Sequence, residues 1–143
     1  MSKEPTEEAV TAWARLIRAQ RVVLAAVEGE LKAAGLPPLG WYDVLLELER
    51  AGEPLRPLEL EGRLLLAQHN VSRLLDRMEG AGLIARAPFA GDGRGQVISV
   101  TEEGRAMRGR MWAVSGPAIQ RHLGAPLGEG AGPLAALLAR LLP

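Results

Sequence analysis

The chain has 143 residues, 48% hydrophobic and 24% charged, which is enough to build a core and too apolar for a disordered polypeptide. Cysteine is absent, which excludes disulfides, thiolate metal sites and thiol redox sensing, and the only histidines, His69 and His122, stand too far apart for a dedicated zinc site. Net charge is zero, but residues 1–61 carry 7 basic and 11 acidic groups and residues 62–143 carry 10 and 6, so the second half can present a basic face.

Val10, Trp13, Ile17, Leu24, Val27, Leu31 and Ala34 recur at three- and four-residue steps and predict one long helix over 7–34. Gly35 suits a left-handed C-terminal cap, and Pro37-Pro38 forbids continuation. A second helix over 39–51 buries Trp41, Val44, Leu45 and Leu48 and stops at Gly52. A short third begins near Pro57. The fourth, over 68–80, places Val71, Leu74, Leu75 and Met78 on one apolar stripe and Gln68, His69, Ser72, Arg73, Asp76 and Arg77 opposite it. Leu83-Ile84 and Gln96–Val100 read as two strands joined by a glycine-rich tip, residues 88–95. Thr101 can cap a fifth helix over 102–123, with Glu102 and Glu103 in its first turn and Gly116-Pro117 expected to kink or interrupt it. Residues 124–132 read as a loop or poorly formed turn, and 133–142 as a last helix bearing Leu134, Leu137, Leu138 and Leu141.

This order predicts a mainly α (α+β) protein. A winged helix-turn-helix lobe spans 35–101, flanked by helical regions at 1–34 and 102–143 whose surplus of apolar residues calls for dimerisation. Such a lobe anchors one helix face in its core and offers the other to double-stranded DNA. Gln68, His69 and Asn70 fall at the helix start, where base edges are met. Arg73 and Arg77, one turn apart, can reach guanine edges or phosphates. Arg94 at the hairpin tip suits an adjacent minor groove, and Asp92 can either hold Arg94 or brace the wing backbone.

The run from Ser72 to Ile84 (Ser-Arg-Leu-Leu-Asp-Arg-Met-Glu-Gly-Ala-Gly-Leu-Ile), then Asp92-Gly93-Arg94-Gly95 and Val100-Thr101-Glu102-Glu103-Gly104, resembles the MarR family of bacterial regulators. Trp41-Tyr42-Asp43-Val44-Leu45 resembles that family's second helix, and the likeness runs over roughly residues 8–142. It implies a homodimer with intertwined terminal helices and one winged lobe per subunit on a pseudo-palindromic operator. Arg73, Arg77 and Arg94 carry over as DNA contacts and Asp92 as a wing brace. It also implies a repressor released by a small effector, an aromatic acid held between dimer region and lobe, for which Trp13, Trp41, Tyr42, Asp43 and Arg86 are the candidate residues. On their own apolar stripes, Trp13 and Trp41 read equally as core or dimer contacts, and Asp43 as a helix brace. Two departures stand out: Ala67 where a capping Ser is usual, and Gly116-Pro117 with the glycine-rich 124–132 segment in place of an unbroken fifth helix.

No cofactor is expected. Gly91-x-Gly93-x-Gly95 misses the dinucleotide pattern, whose next glycine falls on Gln96, and no nucleophile-elbow or phosphate-loop motif is present. The alternative reading is a winged helix that docks protein rather than DNA. With no apolar run near the roughly 18 residues of a membrane span and an acidic opening segment, the expected setting is the cytoplasm, with no membrane partner.

Overall fold

A computed structural model describes residues 3–89, 91 and 95–143. Backbone contacts divide the chain into two compact units, residues 31–114 and residues 1–30 with 115–143. The elements are α1 (Glu7–Ala33), α2 (Leu39–Ala51), α3 (Pro57–Arg63), α4 (Val71–Gly80), β1 (Ile84–Pro88), β2 (Gln96–Val100) and α5 (Glu102–Ile119), followed by short helical turns and α6 (Ala131–Ala139).

In the first unit, the apolar stripes of α2 and α4 close on each other. Val44, Leu45, Leu48, Leu60, Val71, Leu75 and Met78 are buried with Leu55, Leu83, Ile84 and Ile98, while Trp41, Leu64, Leu74 and Met107 pack on the margin. β1 and β2 pair antiparallel, Ile84 opposite Val100 and Pro88 opposite Gln96. A third segment joins them: Leu55 exchanges both backbone hydrogen bonds with Ile98, at 2.9 and 2.7 Å, which ties the start of the helix-turn-helix to the wing.

The junctions follow from local chemistry. α1 ends with the Leu36 N–H on the Leu31 carbonyl and Gly35 at φ 72°, and α4 ends in the same way, with the Leu83 N–H on the Met78 carbonyl and Gly82 at φ 79°. Both positions lie in the left-handed region, which only glycine enters cheaply. Thr101 then fastens the wing to α5. Its hydroxyl donates to the Gly82 carbonyl at 2.7 Å and accepts from the Gly104 N–H at 3.0 Å. Gly104 itself lies so close to the Leu83 carbonyl that any Cβ would collide with backbone. Cap and close approach together account for the Thr-x-x-Gly spacing.

Three expectations need correction. α4 starts at Val71, not at 68, because Asn70 supplies the N-cap oxygen to the Arg73 N–H at 3.0 Å, which Ala67 has no side chain to do. Pro117 does not interrupt α5 at Gly116-Pro117. The helix continues to Ile119, and the lost proline N–H is followed by a π-helical turn over Gln120–Gly124. Residues 124–132 are not a loop: Ala125–Leu127 and Gly128–Gly130 wind as short α and 3₁₀ turns that lead directly into α6.

The second unit contains most of α1, the end of α5 and everything after it. Glu30 on α1 is held there by Arg121 and, at 2.7 Å, by His122 Nε2, both from the π turn. These contacts hold the Glu30 carboxyl below the usual carboxylate range, the His122 hydrogen bond contributing most and the Arg121 hydrogen bond next.

Candidate nucleic-acid interface

The site is built on α4. Val71, Leu75 and Met78 are buried, so the helix cannot rotate, and the opposite face is fixed outward. Ser72, Arg73, Asp76 and Arg77 lie on that exposed face. Among the described residues neither Arg73 nor Arg77 forms an ion pair, which leaves two fully charged guanidinium groups one helical turn apart.

His69 and Asn70 are exposed in the turn before the helix, and Asn70 also supplies the cap. Gln68 is only half-exposed. Its amide lies over Gly40, at the position that a Cβ on residue 40 would fill. Asp92 and Arg94, expected as wing brace and minor-groove contact, lie outside the described residues. The wing is defined up to its base, where the Phe89 N–H bonds the Gly95 carbonyl at 2.8 Å and the Arg56 guanidinium stacks over the Phe89 ring at 4.6 Å.

Within residues 31–114 the candidate effector residues have separate partners. Tyr42 stacks on Trp112 with ring centroids 6.0 Å apart, and Trp41 packs on the core margin. Asp43 is 5% exposed, and its two carboxylate oxygens accept the Leu65 and Leu66 N–H groups at 3.0 and 2.7 Å. Arg86 reaches from β1 to α4, bonding Asp76 at 2.8 Å and approaching Glu79 at 3.8 Å. Arg86 also lines a cleft of about 350 Å³ with His69, Asn70, Ser72 and Gln96. Trp13 belongs to the other unit, where it lines an apolar hollow with Pro5, Ala9 and Val10.

Sequence reasoning missed three supports of this surface: Gly40 under Gln68, Arg56 under the wing, and the grip of Arg86 on the outer face of α4. None carries a local signal, because each partner is distant in sequence. Among the described residues no group of three or more His, Asp or Glu could hold a metal, and no helix is long and apolar enough to cross a membrane.

Comparison with known proteins fits this geometry. Residues 34–95 match the MarR family. The transcriptional regulator PecS of Dickeya dadantii is 35% identical over 72 residues, 49% of this chain and 43% of PecS. The chain spans less than two thirds of the curated relatives it matches, between 43% and 60% of their length. Among solved structures, AbsC of Streptomyces coelicolor, a MarR family regulator, superposes with a TM-score of 0.81 at 24% identity, covering 99% of this chain and 95% of AbsC. A MarR point mutant from E. coli, complexed with operator DNA, superposes with a TM-score of 0.78 at 22% identity, covering 98% of this chain and all of that one (100%). The likeness to the MarR family thus lies in the winged lobe, and the solved structures named share this chain's fold.

Proposed function

We propose that the chain is a homodimeric, DNA-binding transcriptional regulator whose α4 enters the major groove of a pseudo-palindromic operator. The observation that carries this reading is the fixed outward face of α4, with the guanidinium groups of Arg73 and Arg77 one turn apart and in no ion pair among the described residues. That face can bond phosphates and guanine edges without first breaking an internal ion pair. His69, Asn70 and Ser72 extend it toward the helix start, and Gln68 supports it from below. Arg94 completes the proposed contact set, with Asp92 as the proposed wing brace. The DNA-bound E. coli relative supports the same use of the fold.

Two copies are proposed because the helical unit leaves Trp13, Leu137, Leu141 and Leu142 exposed, more apolar surface than a monomer ordinarily presents to water.

The finer reading is a repressor released by a small acid. Arg86 is the cation that suits such a ligand, since an anion in its cleft would compete with Asp76 and Glu79 for the guanidinium and disturb the helix that DNA must meet. Asp43 and Tyr42, both engaged within the protein, fit a supporting role better than ligand contact.

Fluorescence anisotropy against the DNA upstream of the protein's own gene, at two salt concentrations, tests the regulator reading. Tight binding that weakens steeply with salt and exceeds binding to random DNA is expected. Arg73→Ala or Arg77→Ala should cost roughly 1–3 kcal/mol of specific affinity. Salt-insensitive association, or none with any DNA, would favour the protein-docking alternative. Affinity that is unchanged by a panel of aromatic acids would sink the effector reading alone.

A further inference from the structure

Residues 64–70 join α3 to α4 without regular structure, yet they decide where the recognition helix begins and how its first turn faces. Two residues near the start of α2, three positions apart, hold this segment. Asp43 accepts the successive N–H groups of Leu65 and Leu66 at 3.0 and 2.7 Å, the donors lying 22 and 23 residues further along the chain. Gly40, three residues before Asp43, leaves room for the Gln68 amide. Asn70 then caps the helix itself.

Asp43 is buried and forms no ion pair among the described residues, so these two amides are the partners that offset its desolvation. Charge-assisted hydrogen bonds of this kind are short, directional and costly to lose on either side. The carboxylate therefore fixes the backbone at 65 and 66, and the Gln68 contact fixes the turn three residues further on.

We infer that Asp43 is a positioning residue for DNA recognition. It never meets DNA; it sets the path of the α3–α4 turn and thereby the placement of His69, Asn70, Ser72 and Arg73. This inference rests on the DNA-binding reading above. It assigns Asp43 to the discrimination between specific and random DNA, while the phosphate attraction of the arginines is left to other residues.

The test is Asp43→Asn in the full chain. The amide keeps the shape but presents an NH₂ to one of the two backbone donors. Hydrogen exchange followed by NMR should show protection of the Leu65 and Leu66 amides falling roughly tenfold or more, with the amides of Leu45 and Leu48 in α2 unchanged. Anisotropy should show the ratio of specific to random DNA affinity falling by a similar factor, with random-DNA affinity retained because Arg73 and Arg77 remain.

Unchanged protection at 65 and 66 would overturn the clamp whatever the DNA result. Lost protection with an unchanged ratio would overturn the positioning role, and a lower melting temperature with the ratio kept would reduce Asp43 to a structural brace. Wild-type protein that fails to discriminate between DNAs would defeat the regulator reading and this role together, while the exchange arm still reports on the clamp. If Asp43→Asn does not fold, Gly40→Ala displaces Gln68 from the same turn and must lower the ratio in the same direction; an unchanged ratio there overturns the inference.

Discussion

The two units differ in where their apolar side chains go. Among the described residues, thirteen of the fifteen buried hydrophobics belong to residues 31–114, and the other two, Val27 and Ala118, to the helical unit. The helical unit instead exposes Val22, Trp13 at 66% and Leu141 at 68%. The winged lobe closes a core of its own from short elements that face one another. The helical unit is amphipathic and leaves apolar side chains exposed, the observation behind the proposed dimer. The contrast teaches that one polypeptide can hold a unit that closes its own core beside one that leaves large apolar side chains exposed.

The largest expected effect separates the two directly. Leu45→Ala empties the centre of the lobe core and should lower unfolding free energy by about 2–5 kcal/mol in chemical denaturation. Because that core lies within one unit, the loss should be the same at low and high protein concentration. A loss that varies with concentration would break the comparison.

Next, Leu141→Glu places a charge on an apolar face of the helical unit and should weaken self-association about tenfold or more in sedimentation equilibrium. The exchange protection of the lobe core should remain. Unchanged association would mean that this face is not covered by a second copy.

A smaller effect sharpens the picture of how the wing meets α5. Thr101→Val removes both the cap on Gly104 and the bond to the Gly82 carbonyl, and should cost about 1–2 kcal/mol, read from the denaturation midpoint. A neutral result would show that the tight Gly104–Leu83 approach holds the junction without the hydroxyl.

The smallest concerns the link from Glu30 to Arg121 and His122. A carboxyl held below its ordinary range stabilises the fold above the unfolded-state value, about 4.3, and loses that contribution as pH falls through the depressed folded value. Glu30→Gln should therefore lower the melting temperature slightly at pH 7 and converge with wild type in strong acid. A difference that grows on acidification would refute the assignment.

Much of this protein is legible in its sequence because the signals are local. Periodicity placed α1, α2 and the buried side of α4, Pro57 marked the start of α3, and Gly35, Gly82 and Thr101 mark junctions whose chemistry is complete within a few residues. The exposed arginines of α4 could be read in the same way, since the stripe of Val71, Leu75 and Met78 dictates which face remains outside. Where competing local choices existed, the reading slipped: Asn70 caps α4 inside the span expected to be helical from 68, and the helix absorbed Pro117 by following it with a π turn.

The tertiary structure decided the rest, because it pairs groups that sequence spacing cannot associate. Asp43 could be a brace or a ligand contact until the turn folded its Leu65 and Leu66 amides onto the carboxylate. Arg86, a candidate effector residue in the sequence, is carried by the hairpin to Asp76 and Glu79. The physical reason is common to both. A buried or half-buried charge takes whichever partner the packed core brings within hydrogen-bond reach, and that proximity is a property of the closed fold rather than of the residue or its neighbours in the chain.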